Sequence, residues 1–250
     1  VTATAAGTLW YAYAVVGPVG DEVRAALGDE LELVGSGEAA VVAGPVAEAD
    51  FGSEALAERL NDREWLEQAA QAHERVVQRL LPAAAVVPLR FGSIHRDREG
   101  VAAFLDARRD DFVATLARVR GRVELGVKVW LDPQEEQRPA AGATSGREYL
   151  ERQRAARERR AGADAELDER LRGIHERLLA AAADGVLNRL QARELTGDPR
   201  RMVMNAAYLV AAEDDAFPAE VERLRRAHPS LVLEVTGPWA PYNFAEEPER

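Results

Sequence analysis

The 250-residue sequence contains no cysteine. Disulfides and thiolate metal sites are excluded, no thiol nucleophile exists, and the absence fits a reducing compartment. No apolar run approaches the roughly 20 residues that a membrane-spanning helix needs. The N-terminal stretch also lacks the basic segment followed by a hydrophobic one that marks a signal peptide, so a cytoplasmic location is expected. Lysine is nearly missing too. Lys128 is the only one among 32 basic residues, a bias that reads as codon usage in a GC-rich genome and carries no mechanistic weight. Phosphate loops of the GxxxxGK[ST] type, HExxH zinc helices and GxSxG nucleophile elbows are all absent.

What is present is a globular composition, 47% hydrophobic and 30% charged. The length lies between one large domain and two small ones. A net charge of -11 repels nucleic acid phosphates and anionic lipid, so neither nucleic acid nor a membrane is an expected partner.

The segment from Thr8 to Val16 is apolar on both alternating faces, the pattern of a central strand covered on both sides. Gly17 and Pro18 stop it, and a short helix from Asp21 ends at Gly28. Leu31 to Gly35 and Ala39 to Ala43 read as a hairpin. Helices follow over Ser53 to Leu60 and Asp62 to Leu81, the second with Asp62 as N-cap and an apolar stripe from Trp65 to Leu80. Ala84 to Arg90 is then a strand that Pro88 ends or places at an edge. This βαββαβ order predicts an α+β protein whose N-terminal domain, residues 1–94, is ferredoxin-like.

A helix is expected from Asp97 to Arg120, bridging the two halves. Arg122 to Leu131 alternates, with Val123, Leu125, Val127, Val129 and Leu131 on a buried face and Arg122, Glu124, Lys128 and Trp130 on a wetter one. After a Pro- and Gly-rich loop, helical composition runs from Ser145 to about Ala183, with Gly162 marking a kink or break and Leu167, Leu171, Ile174, Leu178 and Ala182 forming a docking stripe. Strands over Met202 to Ala211 and Leu231 to Thr236 flank a helix from Pro218 to Ala227. The reading for residues 95–236 is a modified, incomplete ferredoxin-like domain with a long helix, followed by an extended Pro- and aromatic-rich tail over 237–250.

Six segments in order resemble the gas vesicle protein F/L family (GvpF/GvpL). They are LWYAYAVV from Leu9, VVPLRFGSI from Val86, ELGVKVW from Glu124, SGREYLERQ from Ser145, NAAYLV from Asn205, and TGPWAPYNF from Thr236 to Phe244. The last is the most specific; the family's usual GPWPPYSF is changed here at Ala240 and Asn243. The resemblance implies an accessory protein required for gas vesicle assembly that binds the small hydrophobic shell protein GvpA and other gas vesicle accessory proteins. It would act as a chaperone or nucleator, covering an apolar face that would otherwise aggregate, or as a permanent minor component of the vesicle.

Each candidate contact residue carries two readings. Trp239, Tyr242 and Phe244 sit among prolines in an extended, polyproline-like tail that either packs into the protein's own groove, the favoured reading, or meets a partner. Arg90 either pairs with a carboxylate or offers its guanidinium outward, the former being favoured. Tyr149 and Leu150 are the large anchors in an otherwise charged helical stretch that is either a solvated face or a docking surface. His73 reads as a hydrogen-bonded interior histidine, and Glu213, Asp214 and Asp215 as a weak cation site at most. GSGEAA from Gly35 lacks the helix that a dinucleotide turn requires. No catalytic residue, cofactor or metal site is assigned; an enzyme on a ferredoxin-like scaffold is the alternative from another class.

Overall fold

The computed structural model describes residues 7–132, 146–191 and 198–245, with the backbone alone over 146–161. It is an α+β protein with two antiparallel sheets. Two compact units divide the chain: the described parts of Val1–Glu124 and Pro238–Arg250 form the first, and those of Leu125–Gly237 the second. The chain thus leaves the first unit after Glu124 and re-enters it at Pro238. Among the described residues, no helix is long and apolar enough to cross a membrane.

The first unit runs β1 (Thr8–Gly17), α1 (Asp21–Leu27), β2 (Glu32–Ser36), β3 (Ala39–Ala47), α2 (Glu48–Phe51), α3 (Ser53–Arg59), α4 (Arg63–Leu80), β4 (Ala85–Pro88), β5 (Ile94–His95), α5 (Arg98–Ala107) and α6 (Arg109–Val119). Its strands lie in the order β2-β3-β1-β4, and β5 also pairs with β1. Asp62 caps α4, accepting hydrogen bonds from the Glu64 and Trp65 amides. Val23 and Leu27 of α1 and Val77 and Leu80 of α4 pack on Ala14, Val16, Val42 and Val86. A Cβ at Gly17 would instead strike the Glu38 carbonyl oxygen at 1.9 Å and lie 3.1 Å from a Leu116 methyl of α6. Even and odd positions at this end of β1 therefore face different helices, so both faces are covered, which is why the strand is apolar throughout.

The β1–β3 register slips between Ala12 and Ala14. This bulge reverses the alternation, so Tyr11, an odd position, points toward α4 on the same side as Ala14 and Val16. The expected single helix from Asp97 is two, because the backbone leaves the helical region at Arg108 (φ -132°), between α5 and α6. Arg108 lies over the Phe104 and Phe112 rings, at 5.7 and 4.9 Å from their centroids.

The second unit contains β6 (Arg122–Leu131, whose first three residues belong to the first unit), α7 (Gly146–Ala180), β7 (Asp184–Leu187), β8 (Met202–Ala211), α8 (Ala216–Ala227) and β9 (Leu231–Trp239). The sheet order is β7-β8-β6-β9. The sheet is thus complete where the sequence suggested an incomplete one; β7 is the addition. Helix α7 runs through Gly162 without interruption. Leu167, Ile174 and Leu178 of its stripe are buried, as are Phe217, Val221 and Leu224 of α8. Glu220, also buried, is held between Arg177 of α7 (2.6 Å) and Arg223 (2.9 Å).

The wet face expected for β6 is corrected at two places: Glu124 and Trp130 are both buried. Trp130 donates Nε1–H to Glu234 at 2.8 Å, and the Arg200 guanidinium lies 5.2 Å from the Trp130 ring centroid while pairing with Glu234 and Asp198. Gly126 allows the close crossing of β6 and β9, since a Cβ there would come within 2.6 Å of the Thr236 hydroxyl.

Candidate functional site

The clearest built site is the seat of the C-terminal tail on the first unit. After β9 the chain makes a short 3₁₀ turn over Tyr242–Phe244, so the tail is a strand and a turn, not the polyproline-like segment expected from its prolines. Ala240 is fully buried against the α1/α4 side of the first core, and Phe244 is 3% exposed. Glu124 is the polar centre of the seat. Its Oε2 accepts the Asn243 backbone N–H at 2.8 Å and its Oε1 accepts the Asn243 side-chain amide at 2.6 Å. Burial holds the Glu124 carboxyl above its ordinary value, with the two Asn243 hydrogen bonds opposing the rise and the Glu74 charge adding to it. A buried carboxylate needs such donors, and the tail supplies them.

Further bonds fix the two ends of the turn. Tyr242 Oη donates to Glu74 Oε2 at 2.8 Å, and Gln78 donates to the other Glu74 oxygen at 2.7 Å and to the Pro238 carbonyl at 3.5 Å. The Arg118 guanidinium donates to the Phe244 carbonyl.

Beside the seat lies a ring cluster centred on His73, which is 4% exposed. Its Nδ1 is 3.0 Å from Tyr11 Oη, and the same oxygen accepts the Gly92 N–H at 3.0 Å. With the Gly92 N–H already donating to Tyr11 Oη, the tyrosine hydrogen is placed to reach Nδ1. Tyr13 stacks on the imidazole at 5.6 Å, while Phe91 and Tyr242 close the cluster at 6.2 and 6.5 Å. Burial lowers the His73 pKa, against the opposing influence of the Glu74 charge and the Leu89 carbonyl. Burial likewise raises Tyr11, Tyr13 and Tyr242, the last further through Glu74.

Of the residues singled out from sequence, Tyr242 and Phe244 come together in this seat, with Trp239 leading into it. Trp239 and Tyr242 are 41% and 37% exposed, whereas Phe244 faces inward. Arg90 is exposed, and its carbonyl accepts both the amide and the hydroxyl of Ser93 in the turn after β4. The side chains of Tyr149 and Leu150 lie outside the described residues. His73 is the interior, hydrogen-bonded histidine that was expected. Asp214 caps the start of α8 through the Ala216 amide, and among the described residues no group of three or more His, Asp or Glu is placed to hold a metal ion.

The sequence reading missed Glu124, Glu74, Gln78 and Arg118, the side chains that grip the tail. For Glu124 a signal was present: it is the one carboxylate of β6, and it opens one of the conspicuous motifs. Chemically the arrangement recognises a turn carrying a small residue, a proline, a phenol, an amide and a phenyl ring in succession.

Residues 9–246 match the family described as Gas vesicle synthesis protein GvpL/GvpF. Among relatives, gas vesicle protein L of Streptomyces sp. (strain CB03234) is 39% identical over 95% of this chain and 92% of its own length. Gas vesicle protein F of the same strain is 31% identical over 70% and 76%. The crystal structure of the gas vesicle protein GvpF from Anabaena sp. PCC7120 superposes with a TM-score of 0.70 at 16% identity, covering 97% of this chain and 98% of that one. GvpF from Microcystis aeruginosa gives 0.64 at 18% identity, covering 96% and 99%.

Proposed function

The chain belongs to the GvpL/GvpF family of gas vesicle synthesis proteins, and from that premise we propose that it is an assembly factor that binds the small hydrophobic shell protein GvpA during gas vesicle formation. The observation that carries this reading is the match over residues 9–246. The function follows from physical need: a shell subunit with a large apolar face aggregates unless a partner covers that face before incorporation. The protein therefore works by binding and not by catalysis, and other gas vesicle accessory proteins are its further partners. Its place of action is the cytoplasm, on or beside the growing vesicle.

In the same reading, the two units are two ferredoxin-like domains, because each sheet places the first and third of its four principal strands at the centre, in a βαββαβ chain order. Trp239 and Tyr242 of the tail, Arg90, and Tyr149 and Leu150 of α7 are the proposed contact residues, while Phe244 of the tail is itself buried. The experiment is co-expression with the shell protein followed by affinity capture of this chain under native conditions. Recovery of GvpA in proportion to the captured chain is expected. Capture of the chain with no shell protein and no accessory protein would overturn the reading.

A further inference from the structure

His73 stands where the sheet of the first unit, the turn after β4 and the tail come together. It is 4% exposed and its partner Tyr11 2%. From β1 it meets the Tyr11 hydroxyl and the stacked Tyr13 ring; from the chain after β4, the Leu89 carbonyl and the Phe91 ring; from the tail, the Tyr242 ring. The carboxylate that acts on it is Glu74, its neighbour on α4. Behind these, the Glu30 charge acts on Tyr13 and the Glu124 charge on Tyr242.

A proton arriving on this imidazole disturbs two sets of bonds. Tyr11 Oη already accepts the Gly92 N–H, so its own hydrogen is placed to reach Nδ1. An imidazolium carries a hydrogen on both nitrogens, so the tyrosine hydrogen loses that acceptor in a place nearly closed to water. The charge is costly there as well, and attraction to the stacked Tyr13 ring offsets only part of the cost. Glu74 can balance the charge, but both of its oxygens are engaged, Oε2 by Tyr242 and Oε1 by Gln78. Turning Glu74 toward His73 takes it from Tyr242, and the phenol that anchors the tail turn lets go.

We propose that His73 is a proton switch for the tail: its protonation draws Glu74 away from Tyr242, opens the ring cluster and loosens the Tyr242–Phe244 turn. Burial lowers the His73 pKa from 6.5, so the imidazole is neutral at pH 7 and the switch acts on the acid side. Asn243 still holds Glu124, so the tail loosens without leaving its seat. Because Trp239 and Tyr242 are proposed contacts for the shell protein, acid would re-aim that surface; this consequence rests on that reading, whereas the opening of the turn is measured without any partner.

The test is a nuclear magnetic resonance titration of the full-length chain from pH 8 to 5, following the His73 ring. By reciprocity, if the proton takes Glu74 from Tyr242, removing the phenol must favour the proton. Tyr242→Phe should therefore raise the His73 midpoint by about half a pH unit or more. Amide exchange, corrected for its intrinsic pH dependence, is the second measurement. The Gly92, Tyr242 and Phe244 amides, bonded to Tyr11 Oη and to the Ala240 and Pro241 carbonyls, should lose protection together, at least about threefold between pH 7 and 5. Their midpoint should be that of the His73 ring, and His73→Gln should remove most of the loss at Tyr242 and Phe244. The proposal is overturned if the His73 midpoint is the same with and without the Tyr242 hydroxyl. It is equally overturned if the tail amides lose as much protection in His73→Gln, which would place the responsible proton on Glu124.

Discussion

The first and second units lay their strands in the same order, β2-β3-β1-β4 and β7-β8-β6-β9, and each joins a sheet strand to a covering helix through one tyrosine–histidine hydrogen bond. In the first the bond runs from Tyr11 on β1 to His73 on α4; in the second it runs from Tyr208 on β8 to His175 on α7 at 2.7 Å. The sites correspond if the two β-α-β halves of each unit are exchanged: β1 with the helix of the second half, against β8 with the helix of the first. The units part company in how they are completed. The second is built from one continuous stretch, Leu125–Gly237, whereas the first also requires Pro238 onward. A chain emerging from the ribosome therefore carries Glu124 without its Asn243 donors until Asn243 has been made. The same topology is self-sufficient in one half and strapped in the other, and the strap is the most family-specific motif.

The largest effects should test what the units share. Leu80 on α4 and Leu178 on α7 are both fully buried. Leu80→Ala and Leu178→Ala should each cost about 2–5 kcal/mol, read from denaturant midpoints with amide exchange reporting which unit loosens. A much smaller cost for one would break the parallel.

The strap comes next. Asn243→Ala leaves the Glu124 carboxylate buried without its donors and should cost about 1–3 kcal/mol, with faster amide exchange in Ala240 to Phe244. Asn243 holds Glu124 of the first unit, so the amides of the second unit should be unchanged. Smaller again is the paired test of the hydroxyls. Tyr11→Phe strands both His73 Nδ1 and the Gly92 N–H and should cost about 1–2 kcal/mol. Tyr208→Phe removes the hydrogen bond to His175 and should cost about half as much.

Acid should separate the units most finely. Folded His73 takes up a proton less readily than in the unfolded chain, whose value is near 6.5. Protonation below that value favours the unfolded chain, so the contribution is constant above 6.5 and stability declines as pH falls beneath it. In the second unit Arg200 holds Asp198 down to about 2 from 3.8. That contribution is present above 3.8 and disappears only as pH falls toward 2. Between pH 7 and 5, protection around His73 should fall while that around Asp198 holds, and His73→Gln should lessen the fall.

Much of this was written in the sequence. The unbroken apolar character of β1 announced coverage on both faces, Asp62 announced the start of α4, and the spacing of Leu167, Leu171, Ile174 and Leu178 announced the packed side of α7. Three features were hidden for physical reasons. The bulge near Tyr13 reverses side-chain direction without changing the hydrophobic pattern. Strand β7 is four residues, DGVL, too short for a period and too close to the end of α7 for a turn signal. The seat joins residues that are far apart in sequence, so no local window reveals that Glu124 is waiting for Asn243. Ala240 and Asn243, the two departures from the usual family tail, both lie within the seat, one filling the apolar floor and the other satisfying the carboxylate.

The central claim is that this protein keeps the shell subunit from aggregating. The most direct measurement is sedimentation of GvpA synthesised in a cell-free system with increasing amounts of the purified chain. The account predicts that shell protein moves from pellet to supernatant in step with the chain added. Shell protein that pellets equally at every ratio would contradict it.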